Sequence, residues 1–356
     1  MSEVRHLAAE SVPADVEDPA PQLDTGGTVS ALLTIVVPTY RRPDLLTQCL
    51  HAIAAQTFDD FVVLVCDNSP EREAETVVRS LDDQRFVYVP RGRNIGMLDN
   101  VLAGFRAART RLVMEVDDDD LLYPHAVGAL VAPFNEDPEL ALVFGDLDVI
   151  DDNLRALPDG ERITFQPSLA FLPEGRHQPF TDLAARGLVF LPSTVLRRDA
   201  LNWDEVPISA ATAYDRYLGL AAARNAARAY HVKERLVAYR VHERSDGLQF
   251  TARAIVGAIE VLSAEQDRSS GAARGSMSRE LARSRFQLFR TYLFLGDVRN
   301  CLRSLVSLLS WHTWPGLTRL IYQDYLPELA RGRSAVRLRG SLRARLKGAP
   351  ARGSKP

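Results

Sequence analysis

Short apolar segments alternate with helix-like segments through the first half of this chain, and this order constrains its fold most. Between the apolar segments, hydrophobic residues recur at helical spacing, as in Asp44–Ala55. Strands that alternate with helices predict a mainly parallel sheet with helices on both faces. Functional groups of such a sheet lie at the carboxyl ends of its strands. The predicted strands of this half are 32–37, 61–66, 86–89 and 112–116, and the later apolar segments 140–146 and 236–241 predict two more.

The sequence divides into four predicted regions. Residues 1–30 are rich in Pro, Ala, Asp and Glu without periodicity, which predicts a disordered N-terminal tail. Residues 31–250 hold the alternating pattern and form the predicted α/β domain. Residues 251–330 are largely helical in pattern, and 331–356 form a basic tail. With 356 residues, 46% of them hydrophobic, the chain can bury a full core.

Cysteine usage and hydropathy restrict the cellular setting. The three cysteines, Cys49, Cys66 and Cys301, are far apart and lack metal-site spacing, so they predict buried thiols in a reducing compartment. The N-terminus has no continuous apolar segment of the kind found in secretory signals. No apolar run reaches the ~18 residues of a membrane-spanning helix. We therefore expect a cytoplasmic protein.

The C-terminal region leaves two hypotheses open. Leucines and tryptophans form an apolar stripe between Leu302 and Ile321, and residues 331–355 contain nine Lys or Arg and no acid. A basic amphipathic segment can bind peripherally to an anionic membrane. The preferred alternative before Ala330 is a helical subdomain packed on the rest of the protein.

Four consecutive carboxylates, Asp117–Asp120, directly follow the apolar segment that ends at Val116. Packed acids repel one another unless a cation or hydrogen bonds neutralise them, and oxygen ligands suit Mg²⁺ or Mn²⁺. The alternative is an acidic turn that caps a helix starting near Pro124. Taken alone, the run does not decide between a metal site and a cap.

The acidic run is one of several polar segments that follow predicted strands. Val37–Arg42 follows the first strand and Val65–Pro70 the second, and Arg93–Gly96 and Asn100 come before the acids. Together, in this order, they resemble family 2 glycosyltransferases, nucleotide-sugar-dependent enzymes with the GT-A fold. The resemblance covers roughly Leu33–Glu243. It implies a GT-A, Rossmann-like, mainly parallel sheet flanked by helices, here with a C-terminal helical extension.

The resemblance implies a nucleobase site on the first two strands. Pro38 and Tyr40 match the segment that lies along the base, with the tyrosine ring available for stacking. Asp67 matches the second acid of an Asp-Asp-Gly-Ser segment and would accept a hydrogen bond from the base. Cys66 stands where the family has the first acid, so that position contributes no charge. Asn94 and Gly96 match a segment near the ribose and diphosphate.

The acidic run matches the Asp-x-Asp motif of the family at Asp117 and Asp119. One of these carboxylates would contact ribose or sugar, and the other would bind a divalent metal, Mn²⁺ or Mg²⁺, that bridges the diphosphate. We assign Asp119 and Asp117 to the metal, and Asp117 and Asp118 to the donor. For each position taken singly, a purely structural role is the alternative.

The general base is where the sequence departs from the family. The usual Glu-Asp pair is replaced by Thr212-Ala213, and only Asp215 remains. Asp215 is the candidate base; its alternative is a helix N-terminal acid that is favourable to the helix dipole. His242, in a Tyr-Arg-x-His segment, is a second catalytic candidate near the diphosphate or metal, or else a structural histidine.

The resemblance implies an inverting transferase that moves a sugar from a nucleoside diphosphate sugar, most commonly a uridine one, to a hydroxyl acceptor. The acceptor would be a saccharide, a lipid-linked glycan or a small molecule, in polysaccharide or cell-envelope synthesis, and no nucleic acid is expected as a partner. One alternative is a sugar nucleotidyltransferase, although Pro38–Tyr40 is a poor phosphate loop. The other is a nucleotide-sugar-binding scaffold that has lost catalysis.

Overall fold

The computed structural model describes residues 31–157, 169, 171–207, 210, 213–225, 228–241 and 248–308. In this part of the chain, nine strands form a single mixed sheet. They are β1 (Leu33–Thr39), β2 (Phe61–Asp67), β3 (Phe86–Pro90), β4 (Leu112–Glu115), β5 (Leu121–Leu122), β6 (Leu142–Ile150), β7 (Gly175–His177), β8 (Thr194–Arg197) and β9 (Ala229–Arg240).

Helices alternate with the first strands, as predicted, and dominate the C-terminal part. The helices are α1 (Pro43–Ala54), α2 (Glu73–Ser80), α3 (Met97–Ala107), α4 (Ala126–Glu136), α5 (Thr181–Ala185), α6 (Tyr214–Asn225), α7 (Leu248–Arg268), α8 (Gly271–Leu295) and α9 (Val298–Leu308). The predicted tails, 1–30 and 331–356, lie outside the described residues, as does the apolar stripe beyond Leu308.

The strands run in the order β3-β2-β1-β4-β8-β6-β9-β5, and β7 pairs with β9. Strand β1 is parallel to both β2 and β4, and Thr39 at its end pairs in register with Asp67. The carboxyl ends of β1, β2 and β4 therefore share one edge of the sheet. Strand β8 lies antiparallel between β4 and β6. The sheet is thus mixed: β1 to β4 pair in parallel, β6 is also parallel to β9, and β8 is antiparallel to both of its neighbours.

The core explains why these segments became strands and helices. Leu33, Ile35, Val36 and Val37 of β1 are fully buried, as expected for a strand covered on both faces. On α1, the buried residues recur at helical spacing along the face that packs into the core: Leu46, Cys49, Leu50 and Ile53. Burial of each large apolar side chain contributes about 1.5–3 kcal/mol to folding, and this stabilises the strands whose ends carry the polar segments.

The chain divides into two compact units. The first runs to Phe180 and also takes in Leu188–Ile208 and Ala221–Arg240, so it contains the whole sheet. The second combines Thr181–Gly187 and Ser209–Leu220 with the chain from Val241 onward. The sequence-based boundary near residue 250 stays a prediction. Among the described residues, no helix is both long and apolar enough to cross a membrane.

Within the second unit, a polar contact joins the short helix α5 to α8. The carboxylate of Asp182 accepts hydrogen bonds from the Ser276 hydroxyl at 2.8 Å and from the Arg279 guanidinium at 2.9 Å. Helix α8 ends at Gly296, whose φ of +72° lets its N–H bond back to the last turn. This unit is thus a helical assembly with its own internal contacts.

Candidate active site

Asp118 is fastened to the end of β1. The Thr39 hydroxyl donates to Asp118 Oδ2 at 2.6 Å, and Arg42 Nη2 lies 2.8 Å from Asp118 Oδ1. The Asp118 side chain is fully buried, and this burial raises its pKa to about 7 although Arg42 opposes the shift. Arg42 Nη1 also donates to Asp119 Oδ2 at 2.7 Å. The N-cap residue of α1 is therefore ion-paired with the acidic run.

Arg240, at the end of β9, holds the acidic run from the other side. Its backbone N–H donates to Asp120 Oδ1 at 2.9 Å, and its Nε donates to the backbone carbonyl of Asp119 at 2.8 Å. Its Nη2 donates to Gln48 Oε1 at 3.0 Å. Since Arg240 is only 3% exposed, its guanidinium serves to fix the backbone of the run.

Three of the four acids converge. Asp117, Asp119 and Asp120 each offer a carboxylate oxygen, and these oxygens all lie within 4.8 Å of one another. Asp120 is fully buried, and within the described part of the chain its Oδ2 has no hydrogen-bond partner. Burial, followed by the negative charge of Asp117, raises the pKa of Asp120 well above its ordinary value.

This arrangement fits a divalent cation. A buried carboxylate oxygen without a donor is costly unless it is protonated or a cation binds it. Three carboxylates supply the hard oxygen ligands that Mg²⁺ and Mn²⁺ prefer. The residues that could hold the cation therefore include Asp120, which the sequence alone did not single out, beside Asp117 and Asp119. Asp118 faces Thr39 and Arg42 instead.

Asp67, the predicted base-contacting acid, is fully buried at the end of β2. Its Oδ1 accepts from the Ser69 backbone N–H at 2.8 Å, and its Oδ2 accepts from the Tyr88 hydroxyl at 2.9 Å. A longer bond of 3.4 Å joins Oδ2 to the Ala74 N–H. Asp67 thus fixes the turn after β2. Its contact with a base stays a prediction. In this conformation the Asp67 carboxylate would have to accept a hydrogen bond from the base in addition to those from Ser69, Tyr88 and Ala74.

Asn68 is a functional candidate that the sequence reasoning missed. Its Nδ2 donates to Asn94 Oδ1 at 2.9 Å and to the Gly96 carbonyl at 3.1 Å, and its Oδ1 accepts from the Ile95 N–H at 2.9 Å. Gly96 adopts φ +91° directly before α3. The side chain of Asn68 therefore ties the predicted ribose and diphosphate segment to the end of β2. Its position after Asp67, in a strand-end turn, was the available signal.

The predicted base-stacking side chain lies beside these loops. Tyr40 is 37% exposed, and the guanidinium carbon of Arg41 lies 5.3 Å from its ring centroid. Arg41 itself has a positive φ of 54°, held by a bond from its N–H to Ser69 Oγ at 2.9 Å. Pro38 is half-buried within β1. A left-handed non-glycine residue here stores strain of a kind common at binding sites.

The structure describes one of the two predicted catalytic residues, Asp215. Asp215 lies in the first turn of α6, in the second unit, where its Oδ1 accepts from the Arg216 N–H at 2.6 Å. Burial raises the pKa of Asp215, and the charge of Arg216 opposes this. Ala213, of the altered pair, is described and buried. Thr212 and His242 lie outside the described residues.

Residues 34–200 match the family model described as glycosyl transferase family 2. The chain carries a family 2 glycosyltransferase domain. The sequence-based resemblance is therefore confirmed, and the sheet with its flanking helices is that of the GT-A fold. The match includes the segments that follow β1, β2, β3 and β4. It does not include Arg240 or Asp215.

One characterised relative is the GalNAc(5)-diNAcBac-PP-undecaprenol beta-1,3-glucosyltransferase of Campylobacter jejuni. It is 32% identical over 117 residues, which are 32% of this chain and 37% of that enzyme. The chain therefore matches little more than a third of the length of this relative.

Two solved structures share the fold at low identity. TarS of S. aureus, residues 1–349 in complex with UDP-GlcNAc, has a TM-score of 0.54 at 15% identity and covers 81% of this chain and 79% of its own. A mannosyltransferase of Pyrobaculum calidifontis in complex with GDP-Man and Mn²⁺ has a TM-score of 0.52 at 16% identity and covers 94% and 84%.

Proposed function

We propose that this protein transfers a sugar, with inversion, from a nucleoside diphosphate sugar to a hydroxyl acceptor. The observation that supports it most is the convergence of Asp117, Asp119 and Asp120, with the buried Asp120 Oδ2 lacking a donor in the described chain. This cluster lies at the sheet edge where ligands of open α/β sheets bind. Solved structures of the same fold hold UDP-GlcNAc in one case and GDP-Man with Mn²⁺ in another.

The residues of the first unit divide the work of donor binding. When bound, a divalent cation would supply positive charge against the charge that develops on the diphosphate leaving group. Tyr40 would stack on the base, with uracil as the first base to test. Asn94 and Gly96, positioned by Asn68, would place the diphosphate near the N-terminus of α3, where the helix dipole favours an anion.

Asp215 is our proposed general base. An inverting displacement needs a group that takes the proton of the acceptor hydroxyl, and a base works best when its pKa approaches the working pH. Burial raises the pKa of Asp215 in that direction. We expect Asp215→Asn to lower kcat by about 10²–10⁴-fold while nucleotide binding stays unchanged. His242 keeps its predicted role near the diphosphate.

The acceptor that we propose is a saccharide hydroxyl, with a lipid-linked glycan as the first to test. The name of the Campylobacter relative specifies an undecaprenol-linked saccharide. On α9, Val298, Leu302, Leu305 and Val306 form one exposed apolar stripe at helical spacing, and the chain continues into the basic segment 331–355. Such a surface suits peripheral binding to an anionic membrane at its cytoplasmic face.

Vesicle sedimentation tests the membrane contact. We expect binding to vesicles that contain phosphatidylglycerol and not to purely zwitterionic ones. Replacing two stripe residues, as in Leu302→Asp with Val306→Asp, should release the protein. Ser304→Asp adds a charge to the same helix at a buried position off the stripe, so it reports on a loss of folding rather than of the apolar surface. Equal binding to both lipid compositions would contradict an electrostatic contact.

Calorimetry with uridine, thymidine, guanosine and cytidine diphosphates, with and without Mn²⁺, tests the donor site. We expect metal-dependent binding of one nucleotide and its loss in Asp119→Asn. Binding of none would contradict the proposed function. Nucleotide binding with neither sugar transfer to any acceptor nor hydrolysis of the donor would favour the scaffold alternative. Turnover of a nucleoside triphosphate with a sugar 1-phosphate would favour the nucleotidyltransferase.

A further inference from the structure

Arg42 pairs directly with two of the four consecutive acids. Its two terminal nitrogens lie 2.8 Å from Asp118 Oδ1 and 2.7 Å from Asp119 Oδ2. The two carboxylates have different surroundings: Asp118 is fully buried and also bonded to Thr39, whereas Asp119 retains 15% exposure. Arg42 thus pairs with a buried carboxylate, Asp118, and with Asp119, which is one of the three converging acids.

Asp119 therefore belongs to two arrangements. Besides pairing with Arg42, it supplies one of the three carboxylate oxygens that lie within 4.8 Å of one another. A divalent cation among these oxygens would lie close to the guanidinium. Two positive charges at such short range repel, and more so in a partly buried place than in water. The ion pair and the metal thus compete for the same carboxylate.

We infer that Arg42 competes with the divalent cation for Asp119, so that metal binding depends on the anionic donor. This inference rests on the proposed function. A diphosphate adds negative charge beside the metal and offers Arg42 a second anion, which a guanidinium binds bidentately. By linkage, the factor by which nucleotide tightens metal binding equals the factor by which metal tightens nucleotide binding. Arg42 would thus favour joint binding of the two ligands.

The surroundings of Arg42 allow this change of partner. Its side chain is 32% exposed, and although it occupies the N-cap position of α1, it makes no side-chain capping bond. Helix α1 begins with Pro43, which needs no N–H acceptor. Arg240, by comparison, is 3% exposed and bonds to backbone and Gln48. Of these two arginines, Arg42 is the one that can change partners without loosening the acidic run.

The experiment measures the affinity for Mn²⁺ alone by electron paramagnetic resonance of free Mn²⁺, on the full chain without nucleotide and then with UDP or GDP. We expect Arg42→Gln to bind Mn²⁺ alone about tenfold more tightly than wild type, in line with typical coupling energies. The tightening produced by nucleotide should shrink correspondingly. A merely structural loss would weaken metal binding, so the gain distinguishes the two explanations.

Two further variants keep the result interpretable. Arg42→Lys retains the positive charge and should bind Mn²⁺ alone as weakly as wild type. Arg79→Gln removes an exposed arginine of α2 that is paired with Glu75, and should leave Mn²⁺ affinity unchanged. Unaltered or weaker binding of Mn²⁺ by Arg42→Gln overturns the inference alone. If wild type binds Mn²⁺ neither alone nor with any nucleotide, the proposed function fails, and the inference fails with it.

Discussion

At the scale of single residues, the loops of the candidate site are held by buried polar side chains. Asn68 is 4% exposed, and its side chain makes three hydrogen bonds to the segment 94–96. A buried amide that satisfies both donors and acceptors contributes to the stability of the loop as well as to its shape. Loss of this side chain should therefore affect both folding and donor binding.

We predict that Asn68→Ala lowers the free energy of unfolding by about 1–3 kcal/mol, because the Ile95 N–H loses its acceptor in a partly buried place. The same change should weaken nucleotide binding through the loosened 94–96 segment. Urea unfolding and calorimetry measure the two effects. Asn153→Ala, at an exposed asparagine, is the matched control. Equal stabilities of the two variants would contradict the bridging role.

The thiols provide a second prediction at this scale. Burial raises the pKa of Cys66 to about 11 and raises that of Cys49 well above its ordinary value. At pH 8 only ~0.1% of Cys66 would be the reactive thiolate. We expect iodoacetamide to label Cys301 in the native protein and the other two only after unfolding, as read by mass spectrometry. Native labelling of Cys66 would show that β2 opens.

Sequence reasoning placed the polar segments correctly after the strands, but among the four acids it assigned only Asp117 and Asp119 to the metal and left out Asp120. Identical residues in an irregular turn carry no periodicity that assigns each side chain to a direction. The partners that decide are remote: Arg42 contacts Asp119 from 77 positions away, and Arg240 contacts Asp120 from 120 positions away. Asp120 therefore became a candidate metal ligand only with the structure.

At the scale of secondary-structure elements, α3 packs unusually close to β1. A Cβ at Gly104, in the middle of α3, would lie 2.5 Å from Val36 Cγ1 and 3.1 Å from Cys66 Sγ. Gly128 in α4 is a matched helical glycine, whose Cβ would meet only Phe58 Cβ at 3.6 Å. Both positions lie within a helix, where alanine is favoured over glycine, and they differ in the space that an added methyl group would meet.

We predict opposite effects of alanine at these two positions. Gly128→Ala should stabilise the protein by about 0.5–1 kcal/mol, because alanine favours the helix over glycine. Gly104→Ala should destabilise it by about 1–3 kcal/mol, because overpacking outweighs that gain. Thermal unfolding of both variants measures the difference. Stabilisation by both would mean that α3 can shift away from β1 at little cost.

Prediction of the elements succeeded where the pattern is local. Runs of β-branched residues predict β1 and β2, and the helical spacing of apolar residues predicts α1. Strand β8 was not predicted, because it has only four residues, follows a turn with Pro192 and pairs antiparallel between β4 and β6. Its partners lie far away in sequence, and no nearby residue indicates them.

At the scale of the whole molecule, the proposed donor site belongs entirely to the first unit. The segments that follow β1, β2, β3, β4 and β9 supply its loops, and all of these strands lie in that unit. Asp215 belongs to the second unit, with α7–α9. Donor binding and proton abstraction are therefore assigned to different parts of the chain, and a ligand that occupies only the donor site should stabilise only one of them.

We predict that UDP with Mn²⁺ slows amide hydrogen exchange in the first unit and leaves α7–α9 unchanged. A ligand at 100 times its Kd adds about 2.7 kcal/mol to the stability of the state that binds it. The slowing should be largest at 94–96 and 117–120, where the chain would contact the ligand. Asp119→Asn is the control, because it removes a metal ligand and should abolish the effect. Equal slowing in α7–α9 would contradict this prediction and would mean that donor binding also stabilises the second unit.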